Sequence, residues 1–248
     1  MPAVSDLKIK VFADGADRAG MLEMYKNPQI QGFTTNPTLM RKAGITDYEA
    51  FSRQIIADIP DRPLSLEVFS DDFEEMEDQA RAIATWGENV YVKIPVTNTK
   101  GESACPLIKT LSVAGVKLNV TAIFTIDQVH DVCRALGGRA PSVVSIFAGR
   151  IADTGVDPMP LMAVAKEICE GCRDAELLWA SPRELLNIFQ ADQVGCDIIT
   201  VSNDLLKKLD CVGKDLEEFS LETVKMFRTD AVKAGFTLAR PHFVRRAA

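Results

Sequence analysis

Histidine is nearly absent from this chain: its 248 residues contain two, His130 and His242. One lies in a helical pattern and the other near the C-terminus, so a metal centre built on strand-borne imidazoles is excluded, and neither metal nor cofactor is expected. Positive charge is in deficit, with 28 Lys and Arg against 35 Asp and Glu. The resulting balance of −7 argues against nucleic acid as a main partner, yet permits a local basic pocket for an anionic metabolite. No apolar run reaches transmembrane length, and the opening Met-Pro-Ala-Val-Ser-Asp-Leu-Lys lacks the apolar core of a signal peptide, so no membrane partner and a cytoplasmic location are expected. The six cysteines are scattered and do not form a disulfide framework; Cys169-Glu-Gly-Cys172 is a lone C-x-x-C that we read as coincidental spacing. Neither G-x-G-x-x-G nor a Walker sequence occurs, which removes the main support for dinucleotide or nucleoside triphosphate binding. No low-complexity linker divides the chain, so residues 1–248 are expected to form one domain.

What is present is an alternation of short β-branched runs with longer helical patterns. Strands are expected at 9–13, 32–35, 64–69, 90–94, 117–123, 142–147, 176–180 and 197–201. Between them, apolar residues recur at helical spacing: Phe73, Met76, Ala80 and Ile83; Ile126, Val129, Cys133 and Leu136; Leu161, Val164, Ile168 and Cys172. Thr125-x-x-Gln128 and Ser181-Pro-Arg-Glu184 both read as capping boxes, the second with proline at the first helical position. Eight β-then-α units imply an α/β chain, either a closed (β/α)8 TIM barrel or a doubly wound open sheet.

Polar residues decide between these. One stands near the C-terminal end of almost every strand: Asp14, Asn36, Glu67, Lys93, Asn119 with Thr121, Ser145 and Ser181. Successive members are 22, 31, 26, 26, 26 and 36 residues apart, one βα unit each. Single polar groups converging from successive strands are what a barrel mouth supplies, whereas an open sheet gathers its site at one crevice. Lys93 is the anomaly, a charge inside the apolar run Val90-Tyr-Val-Lys-Ile-Pro-Val-Thr97. Burial there costs an ammonium its hydration, which is relieved either by loss of the proton, giving a nucleophile, or by pairing with a buried carboxylate.

Phe12-Ala-Asp14, Gly32-Phe-Thr-Thr-Asn36-Pro, Leu66-Glu67-Val, Val92-Lys93-Ile-Pro, Leu118-Asn119-Val-Thr121, Ser145-Ile-Phe147-Ala-Gly-Arg150 and Ala180-Ser181-x-Arg183 resemble, in order, the strand-end motifs of transaldolases. In size the chain is similar to the branch of small transaldolases and fructose-6-phosphate aldolases. The resemblance implies a single-domain (β/α)8 barrel that transfers a dihydroxyacetone unit, through a Schiff base, from a ketose phosphate such as fructose 6-phosphate or sedoheptulose 7-phosphate to an aldose phosphate. It assigns the Schiff base to Lys93, the base for carbon–carbon cleavage to Asp14, and a catalytic water to Glu67 and Thr121. Asn36, Asn119 and Ser145 match positions that hold substrate hydroxyls, with Thr35 and Phe147 beside them, and Arg150, Arg183 and Ser181 match a phosphate clamp. A non-catalytic sugar-phosphate sensor would not need Lys93, Asp14 and Glu67 together, and a metal-dependent aldolase would need histidine ligands.

Fructose-6-phosphate aldolases resemble the chain closely but typically carry glutamine at the position of Glu67, tyrosine at Phe147 and alanine at Ser145, so the departures favour transfer over free cleavage. Ile146 stands where proline is usual, which leaves the terminal anion open between phosphate and sulfonate. Residues 220–234 read as a helix with Leu221, Val224, Phe227 and Ala231 on one face, followed to 236 by its end and then by a basic tail, Arg240 to Arg246. In the small branch such a helix reaches a neighbouring subunit, so the resemblance implies a homo-oligomer, typically a decamer; packing on its own barrel is the alternative.

Overall fold

The β-branched runs form the eight parallel strands: β1 (Lys10–Asp14), β2 (Ile30–Thr34), β3 (Leu64–Glu67), β4 (Val90–Pro95), β5 (Leu118–Ile123), β6 (Ser142–Ile146), β7 (Ala175–Trp179) and β8 (Ile198–Ser202). They pair in chain order and close through β8 onto β1, so the TIM barrel is found, with strand ends within two residues of those expected. The computed structural model describes residues 4–137 and 140–238. Helices α1 (Arg18–Tyr25), α2 (Pro37–Lys42), α3 (Tyr48–Asp58), α4 (Phe73–Ala84), α5 (Cys105–Val113), α6 (Ile126–Ala135), α7 (Ala148–Ala152), α8 (Met159–Glu170), α9 (Leu186–Gln193) and α10 (Asn203–Leu206) lie between and after the strands.

Two apolar cores follow from the period of two along each strand. Val90, Val92 and Ile94 of β4 join helix residues such as Met76, Ala80 and Ile83 in the larger core. Phe12, Val143, Leu178, Ala180 and Ile198 pack together in a smaller one, with Tyr91 against them. Gly32 is required by this second cluster, because a Cβ at that position would lie 2.4 Å from the Phe12 ring.

Helix starts follow local chemistry. Thr125 and Gln128 form the expected capping box at α6. The second expected box is not formed: α9 begins at Leu186, and Arg183 lies before it rather than in its first turn. Ser181 adopts φ +59°, and the Asn187 side chain accepts the N–H groups of Arg183 and Glu184 at 2.7 and 3.1 Å, so those donors are satisfied without Ser181. On α8 the buried residues are Met162, Ala165 and Cys169; of the expected stripe, Cys172 is buried just beyond the helix, Leu161 and Ile168 pack half-buried against the core, and Val164 is exposed. Leu161, Val164 and Ile168 are each followed by an apolar residue, so the period alone did not distinguish the two faces.

The barrel spans residues 4–210, and residues 211–238 belong to a separate compact unit. That unit's helix, α11 (Leu216–Lys233), starts four residues earlier than expected, because the Asp215 carboxylate accepts the N–H groups of Glu217 and Glu218. The basic tail lies outside the described residues. Among those described, no helix is long and apolar enough to cross a membrane.

Candidate active site

Alternation along β4 turns Tyr91, Lys93 and Pro95 to the opposite face from Val90, Val92 and Ile94. The parallel register then sets Glu67, Lys93 and Asn119 side by side on β3, β4 and β5. Above them opens a cavity of about 500 Å³. Asp14, Asn36, Glu67, Lys93, Asn119, Thr121, Ser145, Phe147, Arg150 and Ser181 all line it, so ten of the twelve residues singled out from the sequence meet in one place.

Lys93 Nζ donates to the Thr35 carbonyl at 2.5 Å and to Glu67 Oε1 at 3.2 Å. Both charged side chains are largely withdrawn from solvent, at 14% and 8% exposure. Of the two readings left open for Lys93, the pairing with a buried carboxylate is what the structure shows, and the amine also faces the cavity. Thr35 lies behind the cavity wall, fully buried, and its hydroxyl reaches the Ser65 carbonyl and both Glu67 oxygens at 2.9–3.2 Å.

Asp14 lies at the end of β1. Thr34 donates to its Oδ1 at 2.7 Å and Asn36 to its Oδ2 at 3.3 Å. Burial raises its carboxyl above the ordinary aspartate value, against the charge of Lys93 and the hydrogen bonds from Thr34 and Asn36, which pull it down. A carboxyl shifted in that direction is better suited to exchanging protons than an ordinary aspartate. Asn36 also caps α2, accepting from Leu39 N at 3.0 Å. Asn119 and Ser145 form a buried chain in which Ser145 Oγ donates to Asn119 Oδ1 at 2.6 Å and Asn119 Nδ2 donates to Ser65 Oγ at 3.0 Å.

Thr121 reaches the cavity at an irregularity in β5, where the register shifts between Val120 and Ile123 and Ala122 takes φ +60°. Arg150 stacks over the Phe147 ring at 5.3 Å. Its helix approaches the loop after β7 so closely that a Cβ on Gly149 would lie 1.6 Å from the Ser181 carbonyl oxygen. Arg183 is not among the lining residues. Its guanidinium is held bidentately by Asp153 at 2.8 and 2.5 Å, a pairing that depresses the Asp153 carboxyl and raises the arginine.

Thr34 and Thr200 also line the cavity, and their hydroxyls share a short hydrogen bond. The sequence reading missed both. Thr200 could have been found, since it is the polar member of the apolar run in β8, the one strand to which no polar group had been assigned. Among the described residues no three His, Cys, Asp or Glu side chains are grouped as metal ligands would be.

A family model described as Transaldolase/Fructose-6-phosphate aldolase matches residues 11–238. A protein of Dehalococcoides mccartyi named "Probable transaldolase" is 37% identical over 81% of this chain and 90% of its own length. One of the same name from Chelativorans is 34% identical over 88% of this chain and 97% of its own, and "Probable transaldolase 2" of Listeria monocytogenes is 33% identical over 81% and 88%. With strand-end motifs, closed barrel and sequence match in agreement, the chain belongs to the transaldolase/fructose-6-phosphate aldolase family.

Proposed function

We propose that this protein is a transaldolase, which carries a dihydroxyacetone unit from a ketose phosphate to an aldose phosphate as a Schiff base on Lys93. The observation that carries the reading is the Lys93 amine, turned into the cavity with Glu67 at 3.2 Å and near enough to Asp14 for its charge to act on that carboxyl. The neutral amine attacks the ketone carbon, and the carbinolamine loses water to give an iminium. Asp14 takes the proton of the C4 hydroxyl, the C3–C4 bond breaks, and its electron pair moves into the iminium to leave an enamine. The aldose phosphate departs, and an acceptor aldehyde reverses the steps.

Glu67 and Thr121 hold the water and carry protons during dehydration. Asn36, Asn119 and Ser145 orient the hydroxyls, as neutral groups able to donate and accept beside a cation. Arg150 receives the anionic end, with Ser181 beside it, and Arg183 joins by exchanging Asp153 for the substrate. Phe147 offers no hydroxyl to protonate the enamine, which favours transfer over the alternative reading, an acceptor-independent aldolase.

The test is borohydride reduction in the presence of fructose 6-phosphate, followed by intact mass and peptide mapping. One adduct on Lys93, absent from Lys93→Met, is expected; an adduct persisting in that variant overturns the assignment. A homo-oligomer is part of the same reading, and a solution mass of a single 27.2 kDa chain would remove it.

A further inference from the structure

The ladder between β2 and β3 stops one step short of the cavity, and the manner of its stopping involves a residue outside the site described so far. Phe33 N–H donates to the Pro63 carbonyl at 2.8 Å and Thr35 N–H to the Ser65 carbonyl at 3.3 Å. Continued in the same parallel register, the next two rungs would run from Glu67 N–H to the Thr35 carbonyl and from the residue 37 N–H to the Glu67 carbonyl. Neither forms. Residue 37 is proline, with no N–H to give, and the Thr35 carbonyl accepts from Lys93 Nζ instead.

Two backbone groups of Glu67 are therefore left to be satisfied by something else. The Tyr48 hydroxyl does both: it accepts from Glu67 N–H at 2.8 Å and donates to the Glu67 carbonyl at 3.0 Å, with Glu67 Oε2 3.5 Å away. Tyr48 is the first residue of α3, and its ring packs edge-on to Phe69 at 4.5 Å and beside Trp86 at 5.9 Å. Burial and the Glu67 charge push the phenol far above its usual range, so the hydroxyl keeps the proton it donates.

We propose that Tyr48 is a positioning residue for the reaction: its hydroxyl replaces the two missing rungs at Glu67, and so leaves the Thr35 carbonyl free to hold the Lys93 amine. Without it, Glu67 N–H is left with the Thr35 carbonyl as its ladder partner, in competition with Lys93. This inference rests on the Schiff-base reading of Lys93 given above.

The experiment is Tyr48→Phe, which keeps the ring packing and removes only the hydroxyl. The rate of borohydride trapping on Lys93 and kcat should both fall about tenfold, the scale of one net hydrogen bond, while KM for the donor stays within about twofold. Phe69→Leu serves as the control, disturbing the same ring cluster while leaving the hydroxyl in place; it should lower the melting temperature and leave the trapping rate unchanged. If the unmodified protein gives no adduct on Lys93, the Schiff-base reading falls and this inference with it. If it gives the adduct and Tyr48→Phe is trapped equally fast, or Phe69→Leu slows trapping as much as Tyr48→Phe does, the positioning role alone is overturned.

Discussion

Gly149→Ala tests whether the anionic end of the cavity depends on backbone packing as well as on its arginine. In the structure an added Cβ would meet the Ser181 carbonyl oxygen at 1.6 Å and its carbon at 2.6 Å, and real Cβ contacts stay above 3.0 Å. Both obstacles are backbone, so no side-chain rotation relieves them; α7 and the loop after β7 must separate by more than an ångström. The Gly149 N–H bond to the Ala180 carbonyl, 3.2 Å long, would break with that movement. Overpacking of this kind costs about 1–3 kcal/mol, or a fall of about 3–10 °C in melting temperature for a chain of this size. Arg150 and Ser181, one on each side of the contact, would be displaced relative to each other, and a misplacement of about 1 Å costs about a hundredfold in rate. We therefore expect kcat/KM for fructose 6-phosphate to fall by about two orders of magnitude, while borohydride trapping of unphosphorylated dihydroxyacetone on Lys93 stays within about threefold. Equal losses on both substrates, or an unchanged melting temperature, would refute the reasoning.

Asp14→Asn should keep borohydride trapping and lose turnover, since the base acts after the Schiff base forms. Its pH signature follows from the raised carboxyl: the folded protein binds the Asp14 proton more tightly than the unfolded chain, so this group's contribution to stability is full below the unfolded value of 3.8 and is lost as pH rises through the folded value. The stability of Asp14→Asn relative to the parent should accordingly improve between acid and neutral pH in denaturant titrations, and a difference independent of pH would contradict the burial argument. Phe147→Tyr should raise acceptor-independent release of dihydroxyacetone; a hundredfold change in partition needs about 2.7 kcal/mol, within reach of one placed proton donor, and an unmodified protein that already cleaves as fast without an acceptor as with one would favour the aldolase alternative. The thiols of Cys133 and Cys196 are pushed up to about 12, the first mainly by its hydrogen bond with Cys169 and the second by burial, so iodoacetamide at pH 8 should label the exposed Cys211 well before either; early labelling of Cys196 would argue against its burial.

The barrel and most of its mouth were legible because both rest on short-range regularities. A period of two and its interruption by one polar residue fixes which side chain faces the lumen at each strand end, and that is enough for Asp14, Glu67, Lys93, Asn119 and Ser145. What the sequence left hidden depends on contacts between residues far apart in it. Tyr48 stands in a helix start and reaches the Glu67 backbone where the β2–β3 ladder has ended, with the Thr35 carbonyl already taken by Lys93. The backbone turn at Ser181 that keeps α9 from starting there depends on Asn187 and on the approach of Gly149, neither of which a capping pattern contains. The bidentate hold of Asp153 on Arg183 spans 30 residues and two elements.

The same geometry bears on why Lys93 and Glu67 are kept together. A buried ion pair seldom adds stability over apolar packing, because each ion forfeits its hydration. Here the pairing has uses beyond stability in the proposed reaction, since the iminium puts a positive charge on the nitrogen that Glu67 already faces. Glu67 and the Thr35 carbonyl are arranged about that nitrogen before substrate arrives. An environment already organised around the charge need not reorganise when the iminium forms, which is the condition under which fixed dipoles lower a barrier most. The cost falls on the neutral amine that must attack, the one species for which this surrounding is unfavourable. Its lost proton has the Glu67 carboxylate 3.2 Å away to receive it, so Glu67→Gln should slow Schiff-base formation more than it slows carbon–carbon cleavage. Single-turnover trapping compared with steady-state turnover separates the two steps, and a cleavage step slowed more than trapping would assign Glu67 to the later chemistry instead.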